Sequence, residues 1–216
     1  MTAHAEFTTL VTSERERRDN FKTLLSVVLP RPIAFVSTIS SRDLPNVAPF
    51  SFFNAVGSNP PAVMFSPCTK ADGTDKDTIV NLRAVGEFVV NVVPFAIRDA
   101  MNQASYPYVP EVDEFEAARL TPIPSRFVRP FRVAESPVHM ECRLLQIIPV
   151  GEGPLSANVC IGEILCFHIA ADLLLPDATA DVEKADLVGR LGGDAYATIR
   201  DRFCLPKPSK PACGNR

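Results

Sequence analysis

Hydrophobic residues along the chain gather into six short runs separated by turn-forming and charged residues. The runs are rich in Val, Ile and Phe, and these residue types favour β-strands. The pattern predicts strands over residues 33–37, 47–53, 62–66, 87–93, 138–148 and 159–169.

Two of these runs predict a hairpin. The run from Val138 alternates apolar and polar side chains until Leu144 and Leu145 break the phase, which indicates a half-buried strand with a bulge. The run over 159–169 is apolar at nearly every position, as expected for a strand covered by the core on one side and by a partner subunit on the other. The turn between them falls at residues 151–154.

Helical patterns are short and lie between the runs. The first begins at Ser13 as a plausible N-cap, ends near Val28 and is stopped by Pro30 and Pro32. The expected class is mostly β with short helices. Further helices are expected over residues 77–84, 96–104, 113–119 and 194–202.

Composition narrows the class of protein. The chain has 216 residues, of which 46% are hydrophobic and 22% charged, as in one ordinary globular domain. A net charge of −3 offers no basic field for nucleic acid, and no stretch approaches the ~18 to 20 apolar residues of a membrane span. The first residues show no export signal, so we expect a cytoplasmic protein.

The six cysteines form no closely spaced pair of the kind that zinc or a redox disulfide uses. We therefore expect no metal site and interpret the cysteines as small buried residues. The last residues, 207–216, are rich in Pro and Lys and are expected to form an extended tail.

An anion site is indicated around Lys76. Asp77 or Thr78 can cap a helix that ends before Gly86, and the first turn of a helix presents unpaired N–H groups. Lys76 and the Thr78 hydroxyl add a charge and a donor, so a phosphate monoester would suit this site. An ordinary capped helix with a solvated lysine is the alternative.

Hydroxyl, amide and aromatic groups are dense in the preceding strands. Ser37, Thr38, Ser51 and Asn54 stand among core-forming residues. A pocket for a flat heterocycle would use such a mixture, whereas hydrogen bonding within turns and edge strands would also account for each residue singly.

Several segments, taken in order, resemble the flavin reductase-like, FMN-binding family over residues 20–206. The resemblance implies a six-stranded antiparallel split β-barrel in a single domain over residues 1–206. It also implies a homodimer with FMN at the subunit interface. The segments are 31–38, 46–54, 60–66, 76–78, 86–91, 113–115, 136–138 with 141–142, 162–164 with 168, and 188–193 with 196.

The resemblance also implies roles for individual residues. Ser37, Thr38, Ile39 and Asn46 would lie near the flavin, and Arg190 and Tyr196 would approach the cofactor from the C-terminal segment. His168 is either a catalytic residue near the flavin or a core histidine. The ring and ribityl chain would contact Ser51, Phe52, Phe53 and Asn54, and the phosphate would contact Ser66, Lys76, Asp77 and Thr78.

Two positions depart from the family pattern. The turn over residues 40–46 lacks the glycine commonly seen after the aspartate and has Leu44 instead, and Arg119 stands where a glycine is usual. Both departures bear on how the nicotinamide and the acceptor fit.

The first functional hypothesis is an NAD(P)H:FMN oxidoreductase that passes electrons to a partner monooxygenase or a small acceptor. Hydride transfer is chemistry of the flavin, so the lack of paired carboxylates or a Ser-His-Asp spacing is no obstacle. The alternatives are a flavoredoxin-like FMN electron carrier with little NAD(P)H turnover, and an FMN enzyme that acts directly on a small organic substrate held by residues 106–132.

Overall fold

The computed structural model describes residues 5–208 of the chain, and in this part short helices lie between the strands of an antiparallel sheet. The α-helices are α1 (Arg17–Val27), α2 (Asp77–Val85), α3 (Arg98–Gln103), α4 (Glu114–Ala117) and α5 (Val182–Ala185), with 3-10 turns at Thr12–Glu14 and Phe95–Ile97. The strands are β1 (Arg31–Pro32), β2 (Ala34–Ile39), β3 (Pro45–Phe50), β4 (Phe53–Ser58), β5 (Pro61–Phe65), β6 (Glu87–Val92), β7 (Pro122–Ile123), β8 (Arg132–Val133), β9 (Val138–Val150), β10 (Ala157–Ile169), β11 (Val188–Arg190) and β12 (Tyr196–Thr198).

The main sheet has seven strands in the order β3-β2-β6-β9-β10-β5-β4. Its two outer strands, β3 and β4, are separated in the chain only by Ser51 and Phe52. The sheet therefore curls until its edges meet at this bend, which is the geometry of a barrel. The expected mostly-β, antiparallel split barrel is confirmed.

The expected strand over residues 47–53 is in fact two strands, which is why the sheet has seven strands and not six. Phe50 is buried in the interior cluster, and Phe53 packs against the same cluster. Residues three apart on one straight strand face opposite sides of a sheet, so the chain must bend between them.

Two hydrophobic clusters cover the sheet. Strand β2 is buried along its whole length because Phe35 belongs to the outer cluster, under α3 and α4, while Ala34 and Val36 belong to the interior one. In the interior, the rings of Phe50, Phe65 and Phe88 stack in series with centroids 5.3 Å apart.

The β9–β10 hairpin has the bulge that its sequence indicates. Leu145 is the extra residue, because Ile161 pairs with Gln146 and Gly162 pairs with Leu144. A Cβ atom on Gly162 would overlap the ring of Phe88, so only glycine fits there. Within one chain, alternate residues of β10 are buried and the others are only partly covered, so a covering partner subunit stays a prediction.

The C-terminal segment corrects another expectation. Residues 194–202 form no helix; instead β12 pairs with β11, which in turn pairs with β1. The charged residues suggested a helix, but pairing with β11 decided the conformation. In the part of the chain described, no helix is long and apolar enough to cross a membrane.

The two departures from the family pattern are accommodated by left-handed backbone. Asp43 has φ of 63° and Arg119 has φ of 56°, so non-glycine residues adopt conformations that favour glycine. Asp43 takes the left-handed position in its turn, and Leu44 follows with its N–H bonded to Ser40 Oγ at 3.0 Å.

The cysteines are partly as expected. Cys142 and Cys160 are buried, but Cys68 and Cys166 are only partly buried and Cys204 is exposed. Burial raises the pKa of the Cys160 thiol to about 12. Cys213 and most of the expected tail lie outside the described residues.

Candidate functional site

A pocket of about 600 Å³ opens beside the bend between β3 and β4. Its wall combines several regions: helix α1, strand β1, the bend, the segment after β5, α3 with the residues that follow it, the β9–β10 turn, and strands β11 and β12. These regions are far apart in the sequence and meet only in the fold. The residues that line it include Phe21, Leu25, Arg31, Phe50, Ser51, Phe52, Ser66, Cys68, Thr69, Lys70, Lys76, Met101, Ser105, Pro107, Leu155, Arg190 and Tyr196.

The bend positions an aromatic wall. Phe52 packs edge-on against Phe21 of α1, with ring centroids 6.4 Å apart. The carbonyl oxygen of Phe52 accepts a hydrogen bond from the Ser66 N–H at 2.9 Å, which fixes the bend against the end of β5. This side of the pocket is therefore apolar and fixed in place.

Arg31 is a buried arginine in the pocket wall, with 4% of its surface exposed. Its guanidinium donates to the carbonyl oxygens of Leu25 at 2.9 Å, Val28 at 2.7 Å and Leu191 at 2.7 Å. Among the described residues, none of its partners is a carboxylate. Burial, together with the nearby charge of Arg190, lowers the pKa of Arg31. A buried positive charge without a counter-ion favours an anionic ligand.

Two lysines extend the positive charge. Lys70 pairs with Asp77 at 3.3 Å, whereas Lys76 forms no ion pair with any described residue and its Nζ lies 5.7 Å from the centroid of the Phe50 ring. With Arg31 and Arg190, the described wall of the pocket has four cationic side chains and no Asp or Glu.

Helix α2 starts at this end of the pocket. Lys76 occupies its N-cap position, and no side chain of residues 5–208 caps the helix. The expectation that Asp77 or Thr78 is the N-cap is therefore wrong, because the N-cap is Lys76, the residue before Asp77. Gly86 ends the helix in the left-handed conformation, as expected. The N–H groups of the first turn, with the positive end of the helix dipole, lie beside Lys76.

A smaller pocket of about 180 Å³ adjoins the first and shares Lys70, Lys76, Ser105 and Pro107 with it. Asn46, Asp77 and Thr78 line it. The Thr78 hydroxyl is already used, since it donates to Asn46 Oδ1 at 3.1 Å and Thr78 is almost fully buried. Thr78 therefore orders the wall and does not offer a free hydroxyl.

Nearby Glu114 belongs to the same wall. It accepts a hydrogen bond from the Val47 N–H at 3.4 Å, and burial raises the pKa of its carboxyl group.

Arg190 and Tyr196 form a shared wall between two pockets. They are register partners on β11 and β12, and the guanidinium lies 4.4 Å from the centroid of the Tyr196 ring and donates to its hydroxyl. On the other side is a pocket of about 460 Å³ that also contacts Ser105, Phe95 and Arg98.

The structure brings together nine of the residues that the sequence indicated. Six line the main pocket: Ser51, Phe52, Ser66, Lys76, Arg190 and Tyr196. Three line the adjoining pocket: Asn46, Asp77 and Thr78.

The structure places five other predicted residues elsewhere. Ser37 and Thr38 are fully buried, and their hydroxyls donate to Phe131 O at 2.5 Å and to Asn46 Oδ1 at 3.0 Å, so a contact of these two residues with the flavin stays a prediction. Ile39 is a core residue. Phe53 packs on the interior cluster, and Asn54 is exposed with its Oδ1 bonded to the next N–H.

His168 also lies outside this site. It is on β10 and lines a separate pocket that shares no described residue with the main one. A catalytic role for His168 at the flavin remains a prediction that the geometry of one chain does not favour.

Sequence reasoning missed Arg31, the contribution of α1 to the site, and three residues after β5: Cys68, Thr69 and Lys70. Arg31 stands between two prolines inside an apolar run, and this pattern could have identified it. A charged residue in such a run is expected to be buried, and a buried charge needs a partner or a ligand. Phe21 and Leu25 carried no such signal, since a helix with exposed apolar residues can pack in many ways.

Comparisons with known proteins agree with this fold. The family model described as flavin reductase like domain matches residues 25–180. An uncharacterized protein of Halalkalibacterium halodurans is 40% identical over 195 residues, which cover 89% of this chain and 93% of the relative.

Two solved structures are similar over nearly the whole chain. Nitrilotriacetate monooxygenase component B from Bacillus cereus is 34% identical with a TM-score of 0.89, covering 94% of this chain and 100% of that one. The 2-nitrobenzoate 2-nitroreductase of Pseudomonas fluorescens is 29% identical with a TM-score of 0.85, covering 96% and 100%. Fold and pocket thus define a split-barrel protein of the flavoprotein oxidoreductase class. The chain belongs to the flavin reductase-like family.

Proposed function

We propose that this protein binds FMN in the pocket beside the β3–β4 bend and uses it to transfer a hydride from NADH or NADPH to an acceptor. The observation that carries the proposal is a pocket whose described wall has aromatic rings, four cationic side chains and no carboxylate. Its volume of about 600 Å³ falls within the range of cofactor sites. A bound flavin would supply the redox chemistry, because its ring accepts a hydride from nicotinamide.

Lys76, Lys70 and the first turn of α2 would hold the phosphate. A phosphate monoester carries close to two negative charges. The start of α2, which no described side chain caps, and Lys76, which pairs with no described carboxylate, provide N–H donors and a counter-charge. Phe52 and Phe50 would pack on the flat ring, and Ser51 and Ser66 supply hydroxyl groups beside them.

Arg31 has a double role in this proposal. Its hydrogen bonds tie the end of α1 to the start of the β11–β12 turn, so it fixes two walls of the pocket. Its buried charge would also stabilise negative charge on a ligand, because charge interactions are stronger away from water.

The nicotinamide or the acceptor would enter through the pocket beyond Arg190 and Tyr196. That pocket meets the main one at these two residues and at Ser105. A substrate there would approach the flavin from one side while helix α1 shields the other from water. Delivery to a partner monooxygenase is supported by the similarity to a monooxygenase component B.

Direct action on a small organic substrate is a second candidate. The second pocket, of about 460 Å³, is large enough for a small aromatic compound, and the similar Pseudomonas fluorescens protein is a nitrobenzoate nitroreductase. A flavoredoxin-like carrier, by contrast, would not need this second pocket.

We also propose a homodimer. Apolar side chains are exposed on β4, on β9 and in the β9–β10 turn, among them Val56 at 51%, Leu145 at 51%, Val150 at 55% and Leu155 at 63%. Leu155 also lines the main pocket, so a second copy covering this surface would help to close the site.

The experiment is to purify the full chain, titrate it with FMN while following quenching of flavin fluorescence, and then add NADH or NADPH without oxygen. We expect saturable binding and bleaching of the flavin spectrum by at least one nicotinamide. Saturable FMN binding without bleaching would favour the carrier. No quenching at micromolar FMN would refute the proposal.

A further inference from the structure

Four chemically active side chains share one face of the β9–β10 hairpin. The register pairs His139 with His168 and Glu141 with Cys166. Residues two apart on a strand face the same side, so the two cross-strand pairs form a single group, here called the hairpin quartet. None of its members lines the flavin pocket.

Three members of the hairpin quartet converge. Nε2 of His168 lies 2.7 Å from Oε1 of Glu141 and 3.4 Å from Sγ of Cys166. All three ligand atoms lie within 4.8 Å of one another, and Glu141 is fully buried.

The geometry argues against a thiol nucleophile activated by a His–Glu relay. Such a relay needs one imidazole nitrogen for the thiol and the other for the carboxylate. Here the same nitrogen, Nε2, faces both partners. Three atoms with lone pairs, one each from Glu141, Cys166 and His168, lie around one point, and this arrangement can coordinate a cation.

The donor types fit zinc. Thiolate, imidazole and carboxylate are the zinc ligands of proteins, and three protein ligands with one open position are common. Two negative charges from Cys166 and Glu141 would neutralise a divalent ion in this buried place. Tetrahedral bonds place ligand atoms about 3.3 to 3.7 Å apart, so the His168–Glu141 contact needs to open by only about half an ångström.

The carboxylate is already oriented. Its Oε1 accepts a hydrogen bond from the Arg126 N–H at 2.7 Å, and its Oε2 accepts one from the Phe127 N–H at 2.6 Å. Outer hydrogen bonds of this kind fix metal ligands in place. Strand β9 and the loop before β8 thus hold Glu141 rigidly between Cys166 and His168.

His139 provides an independent observation. Its Nε2 bonds to the carbonyl oxygen of Val133 at 2.8 Å, so Nε2 carries the proton and Nδ1 is a free acceptor. Within residues 5–208, Nδ1 of His139 is the only buried side-chain nitrogen or oxygen without a hydrogen bond, and His139 is 6% exposed. His139 and His168 both line a pocket of about 550 Å³.

We propose that the hairpin quartet binds one zinc ion through Cys166 Sγ, His168 Nε2 and Glu141 Oε1. A water molecule takes the fourth position on the side of that pocket and donates a hydrogen bond to Nδ1 of His139. Binding displaces the thiol proton of Cys166 to solvent, and the imidazole proton of His168 moves to Nδ1. The site is separate from the proposed flavin function.

The experiment strips metal from the full chain with a chelator, removes the chelator, and titrates Zn²⁺ in competition with a chromogenic indicator. We expect one equivalent of tight binding. Cys166→Ala should abolish it, and His139→Ala should weaken it by about 10- to 100-fold, as loss of an outer partner does. Cys204→Ala, at an exposed cysteine, is the matched control and should retain full binding.

Cobalt binding provides a second measurement, which reports on the bond between metal and thiolate and not on the stability of the variant. Co²⁺ added to the wild type should produce a thiolate-to-metal charge-transfer band in the difference spectrum, and Cys166→Ser should lack it. FMN quenching by Cys166→Ala should equal that of the wild type, which separates this site from the flavin pocket. Absence of stoichiometric binding, or binding retained in Cys166→Ala, would overturn the proposal.

Discussion

The proposed flavin pocket, which is the main pocket beside the β3–β4 bend, and the hairpin quartet are built in opposite ways. The pocket is assembled from helix α1, the bend between β3 and β4, and strands β11 and β12, with Arg31 joining segments up to 160 residues apart. The quartet lies on one hairpin, where strand register alone sets its members side by side. A site of the first kind depends on the whole fold, whereas one of the second kind depends on two neighbouring strands.

Their electrostatics differ in the same way. The described wall of the pocket has four cationic side chains and no carboxylate, which favours an anionic ligand. In the quartet, by contrast, the buried carboxylate of Glu141 already accepts three hydrogen bonds. Substitutions should therefore affect the two sites independently, except where they disturb the common core.

The largest effect is expected from Arg31→Met. The substitution leaves three carbonyl oxygens without their donor, so the free energy of unfolding should fall by about 3 kcal/mol or more. FMN affinity should fall with it, because α1 and the β11–β12 turn lose their common anchor. Urea denaturation and FMN titration measure the two effects.

Arg18→Met is the control for this substitution, since Arg18 is exposed and, among the described residues, forms no ion pair. Stability unchanged in Arg31→Met would contradict the anchoring role of Arg31. Zinc binding by folded Arg31→Met should match that of the wild type, because Arg31 makes no contribution to the hairpin quartet.

A smaller, ligand-specific effect is expected from Lys76→Ala. FMN binding should weaken by about 1.5 to 3 kcal/mol through loss of one charge-assisted contact to phosphate. Riboflavin, which lacks the phosphate, should bind with unchanged affinity. Fluorescence titration of both flavins provides the measurement.

Lys22→Ala on exposed α1 is the matched control for Lys76→Ala. Equal weakening of FMN and riboflavin would mean that Lys76 shapes the pocket and does not bind phosphate. Thr78→Val should disturb both flavins equally, because its hydroxyl acts through Asn46.

The smallest effect concerns pH and the metal-free quartet. Burial by itself would raise the pKa of Glu141, but the N–H groups of Arg126 and Phe127 and the bond from His168 lower that pKa overall. The folded carboxyl therefore titrates below the unfolded one. The ionised Glu141 carboxylate therefore stabilises the folded state above the unfolded pKa, and this stabilisation is lost as pH falls through the folded pKa. The contribution is about 1.4 kcal/mol for each pH unit that separates the folded pKa from the unfolded pKa.

Glu141→Gln should remove that part of the acid dependence. Urea midpoints of metal-free wild type and Glu141→Gln, compared from neutral pH into the acid range, measure the effect. Parallel curves for the two proteins would show that Glu141 makes no such contribution.

Much of the fold followed from local patterns. Apolar runs rich in Val, Ile and Phe located the strands, and the Leu144–Leu145 pair located the bulge on β9. The failures share one cause. Within the expected helix, residues 196–198 became strand β12 because β11 offered an edge to pair with, and the run over 47–53 was divided because Phe50 and Phe53 both pack in the interior.

The candidate site was predicted less completely. Lys76 and the start of α2 could be found because a helix start and a lysine are neighbours in sequence. Ser37 and Thr38 were assigned to the cofactor by resemblance, but their hydroxyls bond inside the protein. Which face of β2 points outward is set by the two clusters on either side of it, and not by β2 itself.

The sequence by itself determined the strand content, the family, the hairpin and the positively charged start of α2. Only the tertiary structure decided that Arg31 is buried without a counter-ion among the described residues, that α1 lines the pocket, and that the N–H groups of Arg126 and Phe127 reach Glu141. The physical reason is that backbone conformation and capping depend on near neighbours. Burial, charge pairing and the meeting of side chains depend on contacts between distant segments, which form only as the barrel closes.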